Sequence, residues 1–300
     1  MAEGQQLKAV TIKRGKDAPV AMSRGSATAS DSKCYFVSES SNEVRMYDVE
    51  KDDWFVLRQC PYNNSALAVV NGLLTAIGGE RGEPSTAAYE FTNSLYSLSN
   101  RRWIEKLPPM KMDPALGVNS KKNNPAVVQS GSSLIVIGGR TESMPQSRVD
   151  ILNTETLEWS DAAELPRTSS VPSAAICGDE IYVMNGDGWG RWVWQCFLDE
   201  LMGVSKPAGS VWSEVASAPH EYATCASLCG QLVAIGDRND SPSIKAYDSA
   251  KDSWYEIGKL AIGCSCPLIA QLSEDTLVVV GGKRRGYRNV LLTQIVTGVL

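Results

Sequence analysis

Residues 127–159 read VVQSGSSLIVIGGRTESMPQSRVDILNTETLEW and contain two apolar runs separated by a polar loop. The first run, residues 134–137, ends at the glycine pair Gly138-Gly139. A short apolar run followed by glycine is typical of a buried strand that ends in a sharp turn, because glycine adopts backbone angles that other residues avoid. The second run, residues 149–152, leads to Trp159, which opens another short strand before Leu165-Pro166.

The same arrangement recurs along the whole chain. The repeated tryptophans are Trp54, Trp103, Trp159, Trp212 and Trp254. Successive members are 49, 56, 53 and 42 residues apart. Glycine elements keep the same phase and are Gly78-Gly79, Gly138-Gly139, Asn185-Gly186, Gly236-Asp237 and Gly281-Gly282. A degenerate first copy covers residues 34–54, where Ser38-Glu39 stands in place of the glycine pair. Each period therefore holds a strand before the glycine run, the glycine run itself, a strand rich in tyrosine or aliphatic residues, and the tryptophan strand.

Four strands in a period of about 50 residues are typical of a kelch-type propeller blade. The sequence resembles the kelch-repeat family through its glycine pairs, its tryptophans, and the dipeptides Tyr47-Asp48 and Tyr247-Asp248. This resemblance covers essentially the whole chain. It implies an all-β fold, a kelch-type β-propeller with four antiparallel strands per blade, and we expect residues 1–300 to form a single propeller domain.

The number of blades follows from the repeats. Units of the first and second strand begin near Gly25, Asn64, Asn124, Val171, Tyr222 and Pro267. The last unit reaches Leu300 without a tryptophan strand, whereas Val10-Thr11-Ile12 followed by Ala18-Pro19 mirrors Trp212 followed by Ala218-Pro219. We therefore predict a six-bladed propeller whose last blade is closed by the N-terminal strand, so that no sheet edge is left free in the ring. Much of the stability of the ring should then depend on residues 7–12.

Composition excludes several classes of protein. A net charge of −5 argues against nucleic acid as the main partner, because neutralising phosphates requires a basic face. The apolar runs are far shorter than the roughly 20 residues of a membrane span, so we expect no membrane association. The N-terminus shows neither the basic nor the apolar region of a secretory signal. With eight cysteines and no signal, the reducing cytoplasm is the expected location and the cysteines are expected to be small core residues.

Catalytic and metal sites find little support in the residue types. The close pairs Cys264/Cys266 and Cys225/Cys229 lack the further ligands that zinc requires. His220 is the only histidine, which excludes a two-histidine copper site like that of galactose oxidase, and we interpret it as a surface loop residue without a role. A pair of facing carboxylates for glycoside chemistry cannot be recognised from sequence. We therefore expect a protein that is not an enzyme and needs no cofactor or metal, with a sugar-acting or metal-dependent propeller enzyme as an open alternative.

Arginines follow most of the glycine elements. In a kelch propeller the loops after the glycine strands emerge on the same face as the connections between blades. The arginines of those loops are Arg81, Arg140, Arg191, Arg238, Arg284 and Arg285. Because the guanidinium group pairs with carboxylates through two parallel hydrogen bonds, a ring of arginines at one mouth suits an acidic peptide. The competing interpretation is a mixed polar rim, since the same loops also carry acidic residues.

Tryptophans are concentrated in the loop and strand that follow Gly186. Trp189 and Trp192 are predicted to be exposed anchors for a partner, because tryptophan is enriched in interface hot spots. Trp194 alternates with Trp192 on the next strand and is predicted to pack between blades.

The family resemblance implies a non-catalytic protein-interaction module. Similar repeats occur in kelch proteins that carry a BTB or F-box module and deliver captured proteins to cullin-based ubiquitin ligases. Propeller repeats fill this chain, so that ligase components would be contacted only through a module absent from it. The expected partner is a protein or peptide, with binding to actin or the cytoskeleton as the alternative within the same class.

Overall fold

A computed structural model describes residues 6–39, 41–81, 90–91, 95–99, 102–110, 122–141, 144–186, 190–205, 210–286 and 288–300. Within these ranges the chain forms six four-stranded antiparallel sheets, and the inner strand of each contacts the inner strands of its neighbours. The predicted six-bladed β-propeller is confirmed. None of the described helices has the length and apolar character needed to cross a bilayer.

The first three blades each take their four strands from one continuous part of the chain, after the N-terminal strand β1 (Ala9–Gly15). Blade 1 consists of β2 (Gly25–Ser30), β3 (Lys33–Ser38), β4 (Ser41–Asp48) and β5 (Asp53–Gln59). Blade 2 consists of β6 (Ala66–Val70), β7 (Leu73–Ile77), β10 (Leu95–Ser99) and β11 (Arg102–Leu107), and between its second and third strands lies the short ribbon of β8 (Glu80–Arg81) and β9 (Glu90–Phe91). Blade 3 consists of β12 (Ala126–Ser130), β13 (Ser133–Ile137), β14 (Val149–Asn153) and β15 (Glu158–Asp161).

The remaining blades follow the same order, except that blade 6 uses β1 as its outer strand. Blade 4 consists of β16 (Pro172–Cys177), β17 (Glu180–Asn185), β18 (Val193–Phe197) and β19 (Ser213–Val215), with the helix α1 (Leu198–Leu201) between its last two strands. Blade 5 consists of β20 (Thr224–Leu228), β21 (Gln231–Ile235), β22 (Ser243–Asp248) and β23 (Ser253–Lys259). Blade 6 consists of β24 (Leu268–Gln271), β25 (Thr276–Val280), β28 (Thr293–Val299) and β1, and carries the ribbon of β26 (Lys283–Arg284) and β27 (Arg288–Asn289).

The second strand of each blade explains the apolar runs of the sequence. In β13, β21 and β25 the last four residues are all buried. Such a strand lies inside its sheet and is covered by a neighbouring blade on each face, so both sets of alternating side chains are apolar. The core is accordingly divided into clusters at the contacts between blades, and one of them joins Ile135 and Ile137 of blade 3 to Ile181 and Val183 of blade 4.

The glycine pairs permit a close backbone approach. Gly138 and Gly139 have positive φ angles of 56° and 87°. A Cβ atom on Gly139 would lie 2.6 Å from the carbonyl oxygen of Asn123, so a side chain there would push the connection between blades away. In blade 1 the substitute Ser38 bridges the same gap by hydrogen bonds, since its hydroxyl accepts from the Ser23 N–H and donates to the Ser23 carbonyl.

Tryptophans link four of the blades to the blade before them. In four of the five repeats the indole N–H donates to a carbonyl just past the outer strand of the preceding blade. The pairs are Trp54 with Lys16 at 2.9 Å, Trp159 with Pro108 at 3.0 Å, Trp212 with Ala163 at 2.9 Å, and Trp254 with Ala216 at 3.1 Å. Asp252, in the turn after the Tyr247 strand, adds a second link, because its carboxylate accepts from both the Tyr247 hydroxyl and the Ala216 N–H.

The predicted closure of the ring is also confirmed. β1 pairs with β28 over seven residues, from Ala9 opposite Val299 to Gly15 opposite Thr293. Lys16, directly after β1, contacts blade 1 through the same two kinds of hydrogen bond that link blade 4 to blade 5. Its N–H donates to Asp52 and its carbonyl accepts from Trp54. At the other end of β1, the fully buried Leu7 packs into the cluster between blades 5 and 6.

Candidate functional site at the loop face

One face of the propeller is built from the loops that follow each second strand and from the connections between blades, and we call it the loop face. The two kinds of segment form backbone pairs in several blades. These pairs are Asn63 with Glu80, Asn123 with Arg140, Glu221 with Arg238, and Ser265 with Lys283. The expectation that both kinds of segment share one face is therefore confirmed, and a partner on this face would contact ordered loops on a rigid scaffold.

Five residues with left-handed backbone angles surround the axial opening of the loop face, and we call them the mouth ring. Their φ angles are 44°, 55°, 49°, 58° and 48°, and they are Arg24, Asn64, Asn124, Tyr222 and Cys266. Each stands just before an inner strand. Backbone hydrogen bonds join some of them across blades: Cys266 donates to Tyr222 at 2.8 Å, Arg24 to Cys266 at 3.1 Å, and Asn124 to Asn64 at 2.9 Å. The mouth ring thus fixes the side chains that frame the opening.

Two guanidinium groups contact the same aromatic ring near this opening. The central guanidinium carbon of Arg24 lies 5.3 Å from the centre of the Tyr222 ring, and that of Arg238 lies 5.8 Å from it. Cations at these distances are attracted to the electron-rich face of the ring. Each arginine also faces a carboxylate, since Arg238 lies 3.1 Å from Glu221 and Arg24 lies 3.9 Å from Glu39. The geometry orders two cations while leaving both partly exposed to a ligand.

A cavity of about 120 Å³ lies on the axis below the mouth ring. Among the described residues that line it, Arg24 is the only charged one, and the others are small apolar or hydroxyl-bearing residues such as Ser26 and Thr224. The Thr224 hydroxyl donates to the Pro267 carbonyl, whereas the Ser26 hydroxyl accepts the N–H of Leu67. Towards the opposite face the channel widens to about 470 Å³ and is lined by uncharged side chains.

The other predicted arginines lie on the loop face but not in one cluster. Arg140 and Arg191 are exposed. Arg191 donates to the carbonyl of Pro219 at 3.4 Å, and the backbone of Arg140 pairs with Asn123 and Pro145. Arg284 and Arg285 lie together on the blade 6 ribbon, where Arg284 is 3.7 Å from Asp240. The rim therefore contains both the predicted arginines and the acidic partners expected of a mixed polar surface.

Comparison with known proteins agrees with this geometry. Residues 122–166, which make up most of blade 3, match the family model of the Kelch motif. Kelch-like protein 23 of Pongo abelii is 23% identical over 246 residues, covering 80% of this chain and 40% of that protein. Kelch-like protein 36 of Rattus norvegicus is 24% identical over 263 residues, covering 82% of this chain and 39% of that protein. The chain thus contains a Kelch motif and resembles Kelch-like proteins over about four fifths of its length.

Two further comparisons extend the picture. An F-box/kelch-repeat protein of Arabidopsis thaliana is 25% identical over 179 residues, covering 55% of this chain and 46% of that protein. The solved structure of YjhT matches with a TM-score of 0.72 over 95% of this chain and 99% of that one, and at 13% identity this likeness concerns the fold alone. The chain spans about two fifths of the length of the Kelch-like relatives that it matches.

The predicted tryptophan anchors require a correction. Trp192 is buried, with 5% of its surface exposed, and packs 6.3 Å from Trp194 in the cluster between blades 3 and 4. The reason is that the chain has already rejoined the sheet at Trp192, whose carbonyl accepts the Asn185 N–H, so Trp192 and Trp194 share one face of the strand. The packing predicted for Trp194 is confirmed. Trp189 lies outside the described residues, as does the side chain of Arg81, whose backbone pairs with Glu90 in the blade 2 ribbon.

The buried thiols of this propeller are poor nucleophiles. Burial raises the pKa of Cys225 and of Cys264 to about 12, so both are protonated at neutral pH. The described residues contain no group of three or more histidine, cysteine, aspartate or glutamate side chains placed to hold a metal. Cys264 and Cys266, paired in the sequence, are both buried at the edge of the mouth.

His220 also departs from its interpretation as a surface residue without a role. It lies in the connection between blades 4 and 5, where its side chain is 17% exposed and its Nδ1 atom lies 3.3 Å from the Asp237 carboxylate. Sequence reasoning missed this pair, and it also missed Arg24, because the partners come from segments that meet only in the folded ring. The position of Arg24 directly before an inner strand, like that of Tyr222, is the signal that could have identified it.

Proposed function

We propose that this kelch propeller is a non-catalytic module that binds acidic segments of a protein or peptide on its loop face. The observation that carries the proposal is the contact of both Arg24 and Arg238 with the Tyr222 ring near the axial opening. Ordered arginines beside an aromatic ring combine bidentate pairing of carboxylates with apolar contact area, and both are features of interface hot spots. Arg140 and Arg191 are further exposed arginines of the same face.

The dimensions of the mouth support binding rather than turnover. The wider part of the channel, about 470 Å³, is within the roughly 300–1,000 Å³ of common small-molecule sites but has no charged side chain in its described lining. The mouth cavity, at about 120 Å³, is below that range. The described lining brings one guanidinium group to the cavity, whereas acid–base hydrolysis of a glycoside needs two carboxyl groups that face the substrate. A side chain of a partner fits such a cavity better than a whole substrate does.

A more specific role follows from the relatives. We propose that the propeller is the substrate-recognition part of a cullin-based ubiquitin ligase in the cytoplasm. In support, one relative is named an F-box/kelch-repeat protein, and the chain covers only about two fifths of its Kelch-like relatives, which leaves room in such proteins for a further module. All eight cysteines are free thiols, which suits a reducing compartment.

Peptide binding tests the first proposal directly. Fluorescent peptides of equal length that are acidic, neutral or basic are titrated with the protein at low and high salt, and anisotropy gives the affinities. We expect the acidic peptides to bind most tightly and to weaken with salt, because screening reduces the attraction between exposed charges. Equal affinities for all three classes would contradict the proposal.

Two charge-matched variants locate the site. The first changes Arg140, Arg191, Arg238 and Arg284 to alanine. The second changes Lys8, Lys51, Arg102 and Lys251 to alanine and removes the same number of positive charges at the hairpin ends opposite the loop face. We expect the first variant to bind acidic peptides at least about tenfold more weakly, or about 1.4 kcal/mol, and the second to bind like the unmodified chain. Equal loss in both would assign the effect to net charge.

The unmodified chain and the loop-face variant, used as baits in cell lysate, test the ligase role. A protein captured from lysate by the unmodified chain and lost with the loop-face variant is a candidate substrate. Its abundance should rise when the kelch protein is depleted, because its degradation would slow. A captured partner of unchanged abundance, or co-sedimentation of the chain with actin filaments, would favour a scaffold or cytoskeletal role instead.

A further inference from the structure

His220 is the single histidine of the chain and contacts a buried carboxylate. Its Nδ1 atom faces the Asp237 carboxylate at 3.3 Å, and the Asp237 side chain is only 9% exposed. The Nε2 atom on the other side of the ring is buried and has no hydrogen-bond partner among the described residues. The neutral imidazole with its proton on Nδ1 therefore fits this site, since that proton faces the carboxylate and the buried Nε2 carries no unsatisfied N–H.

Asp237 begins a short loop, residues 237–240, whose fold depends on it. The Asp237 carboxylate accepts the N–H of Asn239 at 3.0 Å, and its carbonyl accepts the N–H of Asp240 at 3.0 Å. The Asp237 N–H donates to the Cys264 carbonyl at 2.8 Å, which ties the loop to the connection that enters blade 6. The pairing of His220 with Asp237 therefore stabilises a residue on which the whole loop is built.

The loop in turn holds the arginines of the blade 6 ribbon. The Asp240 carboxylate accepts the N–H of Arg285 at 3.0 Å and lies 3.7 Å from the Arg284 guanidinium. Asn239 accepts from the Arg285 guanidinium at 2.6 Å. Arg238, which flanks Tyr222 at the mouth, belongs to the same four residues. A change in the order of residues 237–240 would thus reach three arginines of the loop face.

The charges around His220 oppose its protonation. Burial is the largest influence on the pKa of His220 and lowers it below its usual value of 6.5. Asp237 and Glu256 favour the protonated form, whereas Lys245 and Arg191 disfavour it. Proton uptake would also place a new N–H at the buried Nε2 atom, where the described residues offer no acceptor. The imidazolium ion is better accommodated when it can reach water.

We propose that His220 makes the 237–240 loop sensitive to pH, so that proton uptake below about pH 6.5 loosens this loop and the arginines that it orders. The direction of the pH effect follows from the coupling between proton binding and the opening of the loop. Because the native state binds the proton less tightly than an opened state does, the stabilisation by His220 is complete above the unfolded pKa and is lost as the pH falls below it. This loosening of the loop is expected whether or not acidic peptides are the ligands.

Hydrogen exchange at two pH values tests it. Amide exchange in peptides that cover residues 237–242 is measured by mass spectrometry at pH 7.5 and 5.5 and corrected for intrinsic rates. We expect the protection of these amides to fall at least about threefold at pH 5.5, while the equivalent loop of blade 3, residues 138–141, keeps its protection. Equal protection of the 237–242 peptides at both pH values would overturn the proposal.

A conservative variant separates the titration from the packing. Asparagine at position 220 supplies an amide N–H to Asp237 but does not titrate, so in H220N the change in protection between the two pH values should disappear. The persistence of that change in H220N would refute the role of His220. An NMR titration of the single histidine adds an independent readout, and a native pKa at or above 6.5 would equally refute it. Since neither measurement needs a partner, failure here leaves the proposed function untouched.

Discussion

The substitution Leu7→Ala measures how strongly the N-terminal strand closes the ring. Leu7 is fully buried between blades 5 and 6, and its backbone is held by the Gln231 and Tyr255 side chains through contacts that alanine would retain. The change therefore removes the equivalent of three CH₂ groups, about 2.4 kcal/mol at roughly 0.8 kcal/mol each. The cavity left behind brings the expected loss to about 2–5 kcal/mol.

Urea unfolding followed by tryptophan fluorescence gives this loss from the shift of the midpoint at constant slope. The matched control is Val299→Ala, in the strand that pairs with β1, because the Val299 side chain is 42% exposed. The control should change the free energy of unfolding by less than about 0.5 kcal/mol. A loss below about 1 kcal/mol for Leu7→Ala, or one equal to that of the control, would refute the view that this segment anchors the ring.

Three further outcomes are expected. Trp54→Phe should lower the free energy of unfolding by about 0.5–1.5 kcal/mol, because it removes an indole hydrogen bond. Trp103→Phe should lower it less, because the indole N–H of Trp103 has no partner among the described residues. The midpoints of urea unfolding compare the two variants. Hydrogen bonds from tyrosine lower the pKa of Asp52 and Asp252. The stabilisation by these two ionised carboxylates is therefore present above about pH 4 and is lost in acid. Acid unfolding followed by circular dichroism should be shallower for the variant in which both residues are changed to Asn. Iodoacetamide at pH 8 should modify the half-buried Cys229 first, as peptide mass spectrometry would show, and equal labelling of the fully buried thiols would contradict the packing.

The ring was predictable because its signals are local and repeated. A glycine pair after four apolar residues reports a buried strand and its turn, and five phased tryptophans give the period directly. The pairing of β1 with β28 followed from what the last repeat lacks, without any knowledge of contacts. The α1 helix was not anticipated, since a single turn within an irregular insertion has no periodicity to reveal it.

The site was less predictable because it depends on which connections meet in space. The sequence placed arginines after the glycine elements, but it could not show that Arg238 shares an aromatic ring with Arg24 of a distant repeat. The burial of Trp192 was missed because the residue at which a loop rejoins its sheet is set by pairing with Asn185. The single-domain interpretation and the role of Trp189 stay predictions.

The pairing of β1 with β28 also determines when folding can finish. Gly15 and Thr293 are direct partners but lie about 280 residues apart in sequence. At about 5–20 residues per second of synthesis, β1 waits on the order of tens of seconds for its partner to leave the ribosome. During that time its hydrogen-bonding edges are unpaired, and non-local pairing of this kind is slow to form. Closure is therefore a late kinetic event, and variants that weaken β1 should first reduce the yield of folded protein in cells.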